Sequence, residues 1–137
     1  MSLDRTLVVV KPDGVKRSLV GEIVSRFEKK GFTIIALQML KFDSSLARNF
    51  YSLHVGKPFF PELEKFITSG SAVAAVLEGN DAVNVVRNMI GVTKSFEAAS
   101  GTVRGDFGLG YTENVIHASD SSESFARESK ILFPNLP

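Results

Sequence analysis

The sequence has no cysteine among its 137 residues and no long apolar run. Without cysteine there is no disulfide framework and no thiolate nucleophile, which is typical of an intracellular protein. A membrane-spanning helix needs about 20 consecutive apolar residues, and no stretch of this chain approaches that length. Residues 1–5 lead into a predicted strand with no hydrophobic signal region. We therefore predict a cytoplasmic protein with no membrane partner.

The sequence also lacks an excess of either charge, because 16 lysines and arginines face 15 aspartates and glutamates, which leaves a net charge of +1. This balance gives no general attraction for nucleic acid or an anionic membrane, so any bound phosphate must be recognised by a few placed cations. A chain of this length buries one sizeable core but not two. We predict a single domain over residues 1–137.

Hydrophobic periodicity predicts alternating strands and helices. Amphipathic helices follow the first and third strands and are ended by glycines. Because periodicity carries no strand direction, this order alone suits a parallel, doubly wound sheet as well as an antiparallel one. The predicted strands are residues 6–10, 32–42, 71–77 and 114–116.

Helices are also predicted between the second and third strands, over residues 43–68. Asp43 is the expected N-cap of the first of them, which carries Leu46, Phe50 and Leu53 on its buried stripe.

Lys11 directly follows the first strand. Pro12 pushes it into an extended conformation and ends the strand pairing, while Gly14 permits a tight turn. Lys11 is therefore expected at the strand exit, where a lysine is usually solvated.

Asn80 or Asp81 is the expected cap of the helix after the third strand. Beyond that helix, residues 92–113 show little periodicity and include Thr93 and Arg104. A loop this long inside a compact domain is usually functional or disordered.

One of only two histidines, His117, follows the short apolar segment 114–116. This segment predicts a buried strand, so that His117 lies at its end and faces a cleft. A histidine in that position is either a hydrogen-bonded structural residue or a catalytic group, and spacing alone leaves both open.

A helix is predicted over residues 121–130, with Asp120 as its N-cap and Glu123 completing a capping box. Ser124 and Glu128 are four residues apart and share one face of that helix. That face can turn a carboxylate toward the imidazole, which is a common way to hold histidine in one tautomer for chemistry.

Several motifs, in order, resemble those of nucleoside diphosphate kinases. Asn-x-x-His-Ala-Ser-Asp at residues 114–120, followed by Ser-x-Glu and Glu128, is similar to the active-site signature of that family. The similarity runs from about residue 5 to residue 133. The further matches are Lys11-Pro12-Asp13-Gly14, Tyr51, Pro58-Phe59-Phe60, Arg87 and residues 101–107.

The resemblance implies a ferredoxin-like βαββαβ fold, which is an α/β (α+β) architecture. In this fold an antiparallel four-stranded sheet carries helices on one face. Residues 43–68 would be extra helices inserted between the second and third strands, and residues 92–113 a long active-site loop.

The activity that the resemblance implies is transfer of the γ-phosphoryl group from a nucleoside triphosphate such as ATP to a nucleoside diphosphate. The mechanism would be ping-pong, through a phosphohistidine formed on His117. Glu128 would orient the imidazole and Ser119 would form a hydrogen bond nearby, while Lys11 and Tyr51 complete the implied catalytic set.

The nucleotide-binding residues are likewise implied by the resemblance. Arg87, Arg104 and Thr93 would hold the phosphates with Mg²⁺, which the phosphates carry without a direct protein ligand. Lys11 and Asn114 would reach the ribose 3′-hydroxyl and the phosphate chain. Arginine suits phosphate because its planar fork binds two oxygens at once.

Phe59 would stack on the base at the mouth of the cleft, and His54 would add a contact to the nucleotide. Every base has a π-face, so stacking is tolerant of sequence and accepts purines and pyrimidines alike. We therefore expect broad use of nucleotides.

The resemblance also implies a homo-oligomer, either a hexamer or a tetramer. Lys94-Ser95 stands where many members have Asn-Pro, and Ser100 stands where proline is frequent. These departures affect a loop that makes subunit contacts in the family.

Two alternatives to the kinase are a nucleotide-binding module without turnover and a phosphatase that passes the group from histidine to water.

Overall fold

A computed structural model describes residues 3–136. Its centre is a four-stranded sheet with the strand order β2-β3-β1-β4, in which every neighbouring pair is antiparallel. This arrangement confirms the antiparallel prediction and excludes the parallel, doubly wound alternative. The strands are β1 (Leu3–Val10), β2 (Thr33–Lys41), β3 (Ser71–Asn80) and β4 (Ile116–Ala118).

Helices separate the strands in the predicted order. Omitting the inserted and terminal elements, the chain follows the order strand, helix, strand, strand, helix, strand, which is the ferredoxin-like βαββαβ order. The long loop contains a short 3-10 turn, Ser95–Glu97, and one of the helices. The helices are α1 (Pro12–Lys16), α2 (Val20–Lys30), α3 (Ser44–Phe50), α4 (Phe60–Ile67), α5 (Ala82–Ile90), α6 (Val103–Phe107) and α7 (Ser122–Leu132).

Both faces of the sheet are covered, because side chains of β1 alternate between two cores. Val8 and Val10 pack with α2 and α5, whereas Leu7 and Val9 pack with α3, α4 and α7. The expectation of helices on one face therefore holds for the two helices of the βαββαβ core. The inserted helices and α7 form a second layer, which explains why residues 7–10 are apolar at successive positions.

Asp43 caps α3 as predicted, since its Oδ1 accepts the Leu46 N–H at 2.7 Å. The predicted stripe was wrong at Leu53, which is exposed. α3 ends at Phe50, and the chain continues as the 3-10 turn Ser52–His54, so the helical spacing no longer applies.

Asp81, one of the two predicted residues, occupies the N-cap position of α5. Asp81 adopts a left-handed conformation with φ 49° and makes no cap hydrogen bond with its side chain. Instead, Asp4 of β1 accepts the Ala82 N–H at 2.7 Å. A distant strand therefore satisfies the helix end.

The strand predicted at residues 114–116 lies two residues later, so His117 is the middle residue of β4 and pairs with Val9. Val115 has φ 75° and cannot continue a strand. Its N–H donates to Oδ2 of Asp13 at 3.1 Å. The carboxylate of Asp13 thus stabilises the turn that leads into β4.

Gly14 lies within α1 and not in a tight turn. A Cβ at this position would lie 2.8 Å from Cγ1 of Val10 and 3.1 Å from Cγ1 of Val115. Glycine is therefore required here for close packing of α1 against β1 and the turn before β4.

The N-cap of α7 is Ser121 and not Asp120, because Ser121 Oγ accepts the Ser124 N–H at 3.1 Å. Asp120 instead pairs with Arg87, with 2.7 Å between Oδ1 and Nη1. The predicted capping box with Glu123 is consequently absent from this helix start. The hydrogen bonds of Ser124 within residues 3–136 are to Ser121 and not to the carboxylate of Glu128.

Ser121→Ala should lower the free energy of unfolding by about 1 kcal/mol, because it removes the acceptor for the Ser124 N–H. Ser122→Ala, the same chemical change one residue later at an exposed helical position, should leave stability within about 0.5 kcal/mol. Denaturant unfolding at fixed protein concentration measures both. Equal effects of the two changes would contradict Ser121 as the cap.

Candidate active site

A cavity of about 280 Å³ opens beside β4, at the sheet end where β1 finishes. It brings together residues from separate parts of the chain that the sequence analysis selected. Ser119 and Glu128, the other two selected residues, lie behind the imidazole. The selected residues that line the cavity are Lys11, Tyr51, His54, Phe59, Arg87, Thr93, Arg104, Asn114 and His117.

The imidazole of His117 is held by a buried carboxylate. Its Nε2 lies 3.1 Å from Oε1 of Glu128, and Ser119 Oγ donates to the same oxygen at 2.7 Å. Burial favours a raised pKa for Glu128, but the hydrogen bonds from His117 and Ser119 outweigh it and hold the pKa below its ordinary value.

An ionised carboxylate only accepts hydrogen bonds, so Nε2 of His117 carries the hydrogen in this contact. The lone pair of the neutral ring is then on Nδ1. Ser119 contacts Glu128 and not the imidazole, so its influence on His117 passes through the carboxylate.

Two aromatic rings support the imidazole from the side of α3. The ring of Phe50 is 5.2 Å from that of His117 and the ring of Tyr51 is 6.0 Å from it, both edge to face. The Tyr51 hydroxyl is buried and has no hydrogen-bond partner in the described part of the chain. Burial raises the pKa of Tyr51, so the hydroxyl is a neutral donor at the cavity wall.

Lys11 is buried and not solvated, which differs from the usual lysine at a strand end. Its Nζ donates to Oδ1 of Asn114 at 2.8 Å, and Asn114 Nδ2 donates to the carbonyl of Thr93 at 3.1 Å. Burial and the nearby Arg104 guanidinium lower the pKa of Lys11 to about 8. The lysine therefore begins to lose its charge just above neutral pH.

Arg104 is also buried, and carbonyl groups hold its guanidinium. Nη1 donates to Gly91 at 3.0 Å and Nη2 donates to Ile116 at 2.6 Å. Burial and the Arg87 cation lower the pKa of Arg104 to about 10, so it remains charged at neutral pH. Its Nε has no partner within residues 3–136.

Arg87 lies nearer the surface, where its Nη1 donates to the carbonyl of Ala118 at 3.2 Å and to Asp120 at 2.7 Å. The inward face of α5 carries Val83, Val86 and Ile90, which are buried. Arg87 leaves that face and reaches the cavity.

Phe59 and His54 form one side of the cavity mouth, with ring centroids 5.5 Å apart. Phe59 is 41% exposed, so its face is accessible to a planar ligand. Burial and the Lys57 cation lower the pKa of His54, which favours a neutral ring.

Five further residues line the cavity that the sequence analysis did not assign to it: Leu63, Tyr111, Thr112, Ala118 and Asp120. Leu63 lies in a segment that was predicted only as a helix, and Asp120 was assigned to a helix cap. Tyr111 is half exposed, and its aromatic side chain in a long polar loop could have indicated a binding residue.

The chain matches the family model described as "Nucleoside diphosphate kinase" over residues 4–136. The nucleoside diphosphate kinase of Staphylothermus marinus is 55% identical over 97% of this chain and 94% of its own length. That of Sulfolobus acidocaldarius is 54% identical over 99% of this chain and 94% of its own length. The chain belongs to the nucleoside diphosphate kinase family.

Solved structures of the family agree with the fold. The nucleoside diphosphate kinase of Aquifex aeolicus superimposes with a TM-score of 0.95 at 46% identity, covering 96% of each chain. The enzyme of Halobacterium salinarum, determined in complex with CDP, superimposes with a TM-score of 0.94 at 43% identity over 98% of this chain and 90% of that chain.

As a nucleoside diphosphate kinase, the protein is a phosphotransferase that moves the γ-phosphoryl group of a nucleoside triphosphate to a nucleoside diphosphate by a ping-pong reaction through phosphohistidine. The family requires a divalent metal ion. A binding module without turnover and a phosphatase are therefore not supported. Within residues 3–136, no helix has the length and apolar character of a membrane span.

The pKa of Lys11 leads to a prediction about nucleotide binding. If Lys11 contacts the phosphates, as the resemblance implies, affinity for Mg²⁺-ADP should fall about tenfold or more as the pH rises from 7 to 9.5, because Lys11 becomes neutral above its pKa of about 8 and a charge-assisted hydrogen bond would be lost. Lys11→Met should bind weakly and with little change across that interval. Isothermal titration calorimetry measures both proteins, and equal pH slopes would contradict the assignment.

Proposed function

We propose that His117 is the nucleophile of this kinase, and the observation that carries the proposal is the contact between its Nε2 and Glu128. With Nε2 acting as a donor, the lone pair of Nδ1 attacks the γ-phosphorus. An N–P bond forms as the bond from phosphorus to the β,γ-bridging oxygen breaks, and the diphosphate leaves. A terminal oxygen of a second diphosphate then attacks phosphorus, and the N–P bond breaks to restore the imidazole.

Glu128 serves in this reaction by holding the ring in one tautomer and by stabilising the positive charge that the imidazole gains on phosphorylation. Ser119 keeps the accepting oxygen of Glu128 in place. The unpartnered hydroxyl of Tyr51 donates to an oxygen of the group in transfer, which satisfies a buried donor that otherwise costs about 1–3 kcal/mol.

The cations bind the phosphate chain. Arg87, Arg104 and Thr93 hold the phosphates, and charge stabilisation is the main contribution a protein makes to phosphoryl transfer. Lys11 lies one hydrogen bond from Asn114, so this pair can contact a phosphate oxygen and the ribose 3′-hydroxyl together.

Mg²⁺ is the divalent ion that we propose for the family's metal requirement. The cavity residues include one carboxylate, Asp120, at the rim, and the described residues contain no cluster of three or more metal-ligating side chains. Mg²⁺ keeps several waters and binds substrate phosphates, so this donor set suits an ion carried by the nucleotide. When bound, the ion neutralises charge on the phosphate oxygens.

Phe59 stacks on the base at the cavity mouth, with neutral His54 beside it as a further contact. The Halobacterium salinarum relative was determined with CDP, a pyrimidine nucleotide. A pyrimidine in that relative supports a site that is not restricted to purines, and stacking allows both base classes.

We also propose a cytoplasmic homo-oligomer, a hexamer or tetramer of single-domain subunits. Large apolar side chains are exposed on the edge strand β2, at Leu37 and Met39, and in the long loop, at Val92, Phe96 and Leu109. Exposed apolar groups of this kind favour burial against another subunit. The long loop also contains the departures at Lys94-Ser95 and Ser100.

His117→Ala should abolish formation of an acid-labile phosphoenzyme when the protein is incubated with radiolabelled ATP alone, because the attacking nitrogen is removed. His54→Ala, which removes the other histidine, should still reach a stoichiometric phosphoenzyme, more slowly. Added diphosphate should discharge the label from each phosphorylated protein. A phosphoenzyme in His117→Ala would refute the assignment of the nucleophile.

The sugar should be discriminated more strongly than the base, because loss of the 3′-hydroxyl removes a hydrogen-bond partner of buried Lys11 and Asn114, which then keep only their bonds within the protein, whereas Phe59 makes no hydrogen bond. ATP, GTP, CTP, UTP and their 2′-deoxy forms should differ in kcat/KM by about one order of magnitude. The kcat/KM of the 2′,3′-dideoxy analogues should be lower by roughly several further orders of magnitude. Single-turnover quench measurements over this panel test the prediction. Equal rates with and without the 3′-hydroxyl would contradict the proposed contact of Lys11 and Asn114 with the sugar.

A further inference from the structure

Arg127 lies next to Glu128 on α7, and its guanidinium reaches two groups. Nη1 donates to the carbonyl of Phe50, the last residue of α3, at 2.9 Å. Nη2 lies 3.6 Å from Oε2 of Glu128. One side chain therefore links the carboxylate behind the imidazole to the helix that carries its aromatic supports.

The contact with Glu128 involves the oxygen that the imidazole does not use. Oε1 accepts from His117 and Ser119, whereas Oε2 faces Arg127. Neighbouring residues on a helix point in different directions, so their side chains do not normally meet. Arg127 bends back toward Glu128 and places its positive charge 3.6 Å from the second oxygen, an attraction that opposes rotation of the carboxylate about its terminal bond.

The contact with Phe50 acts on the other support of the imidazole. The last carbonyls of a helix have no partner within that helix, and a cation near this end is stabilising. Arg127 occupies this position at the end of α3. The rings of Phe50 and Tyr51, at this same helix end, pack edge to face against the ring of His117.

We propose that Arg127 is a positioning residue for phosphoryl transfer, which fixes the orientation of the Glu128 carboxylate and joins α3 to α7 so that the imidazole is held from two sides. The inference rests on the proposed roles of His117 and Glu128. Reaction requires the attacking nitrogen about 3–3.5 Å from phosphorus, and a displacement of about 1 Å can cost roughly 100-fold in rate.

The first test is the rate of phosphoenzyme formation at saturating ATP, measured by rapid quench. Arg127→Ala should lower the maximal rate by about 10- to 100-fold while the ATP concentration at half-maximal rate changes by less than about twofold, because the guanidinium orients the nucleophile and does not contact the nucleotide. Arg127→Lys should be intermediate, since an ammonium restores a charge but cannot bridge both acceptors as the planar fork does.

The second test is the pH profile of the same rate. Besides Arg127, the titratable groups that face Glu128 are His117 of β4 and Tyr51 after α3. Loss of the cation favours the protonated form of Glu128. The acid limb of the profile, where the rate falls as the pH is lowered, should therefore move to higher pH in Arg127→Ala and should move less in Arg127→Lys. A role only in helix packing would reduce stability and leave the limb in place.

Arg5→Ala is the matched control. Arg5 is also half-buried and pairs with a glutamate, Glu78, at 2.8 Å between Nε and Oε2, but it lies on β1 four residues before Val9, the partner of His117. This variant should keep the rate and the acid limb of the unaltered enzyme. Equal rate losses in Arg5→Ala and Arg127→Ala would indicate general destabilisation and overturn the inference.

Glu128→Gln separates failure of this inference from failure of the proposed function. It should slow phosphorylation by about 10²- to 10⁴-fold. If it does so while Arg127→Ala keeps an unaltered rate and limb, the inference about Arg127 is wrong and the role of Glu128 stands. If Glu128→Gln is as fast as the unaltered enzyme, the role of Glu128 and the inference both fail.

Should Arg127→Ala not fold, Arg127→Lys decides: a slower rate with a shifted limb supports the inference, and no change in either overturns it.

Discussion

The arrangement of the site depends on one buried carboxylate oxygen, Oε1 of Glu128, which His117 and Ser119 share. A buried carboxylate is strongly destabilising unless hydrogen bonds compensate for its lost hydration. The compensation requires α7 to lie against the end of β4, and β4 is fixed in turn by pairing with β1, where the Ser119 N–H donates to the carbonyl of Leu7 at 3.0 Å. The same contacts that stabilise the charge therefore determine which nitrogen of the imidazole faces the cavity.

Local sequence patterns predicted those elements whose determinants lie within a few residues. The apolar run of β1, the amphipathic repeat of α2 with Gly31 at its end, and the Asp43 cap are of this kind. Two predictions failed because a distant residue supplies the partner. Asp4 caps α5 from a strand 78 residues earlier, and Asp13 fixes the left-handed Val115 from 102 residues away. No short window of sequence contains either interaction.

The functional site was harder to predict from residue patterns than the strands and helices were. Helical spacing correctly indicated that Glu128 could face the imidazole, but it could not choose between a structural and a catalytic histidine. The roles of the three cations and of Phe59 were predicted from the resemblance to the family. Burial of Lys11 could not be predicted, because it depends on Asn114, which is 103 residues later. The contact of Arg127 with Phe50 likewise joins two helices 77 residues apart in the chain.

The cavity holds three cations close together, largely without carboxylate partners. Lys11 and Arg104 donate to an amide oxygen and to carbonyls, and Arg87 pairs with Asp120, whose side chain is 72% exposed and therefore well screened. Burial and mutual repulsion lower the pKa of Lys11 and of Arg104, so the proximity of these cations is electrostatically unfavourable. A polyphosphate bound among the three cations, as proposed, would relieve this repulsion without displacing buried carboxylates. Since the donors are already oriented by neutral acceptors, little reorganisation is needed when charge develops on the transferring group.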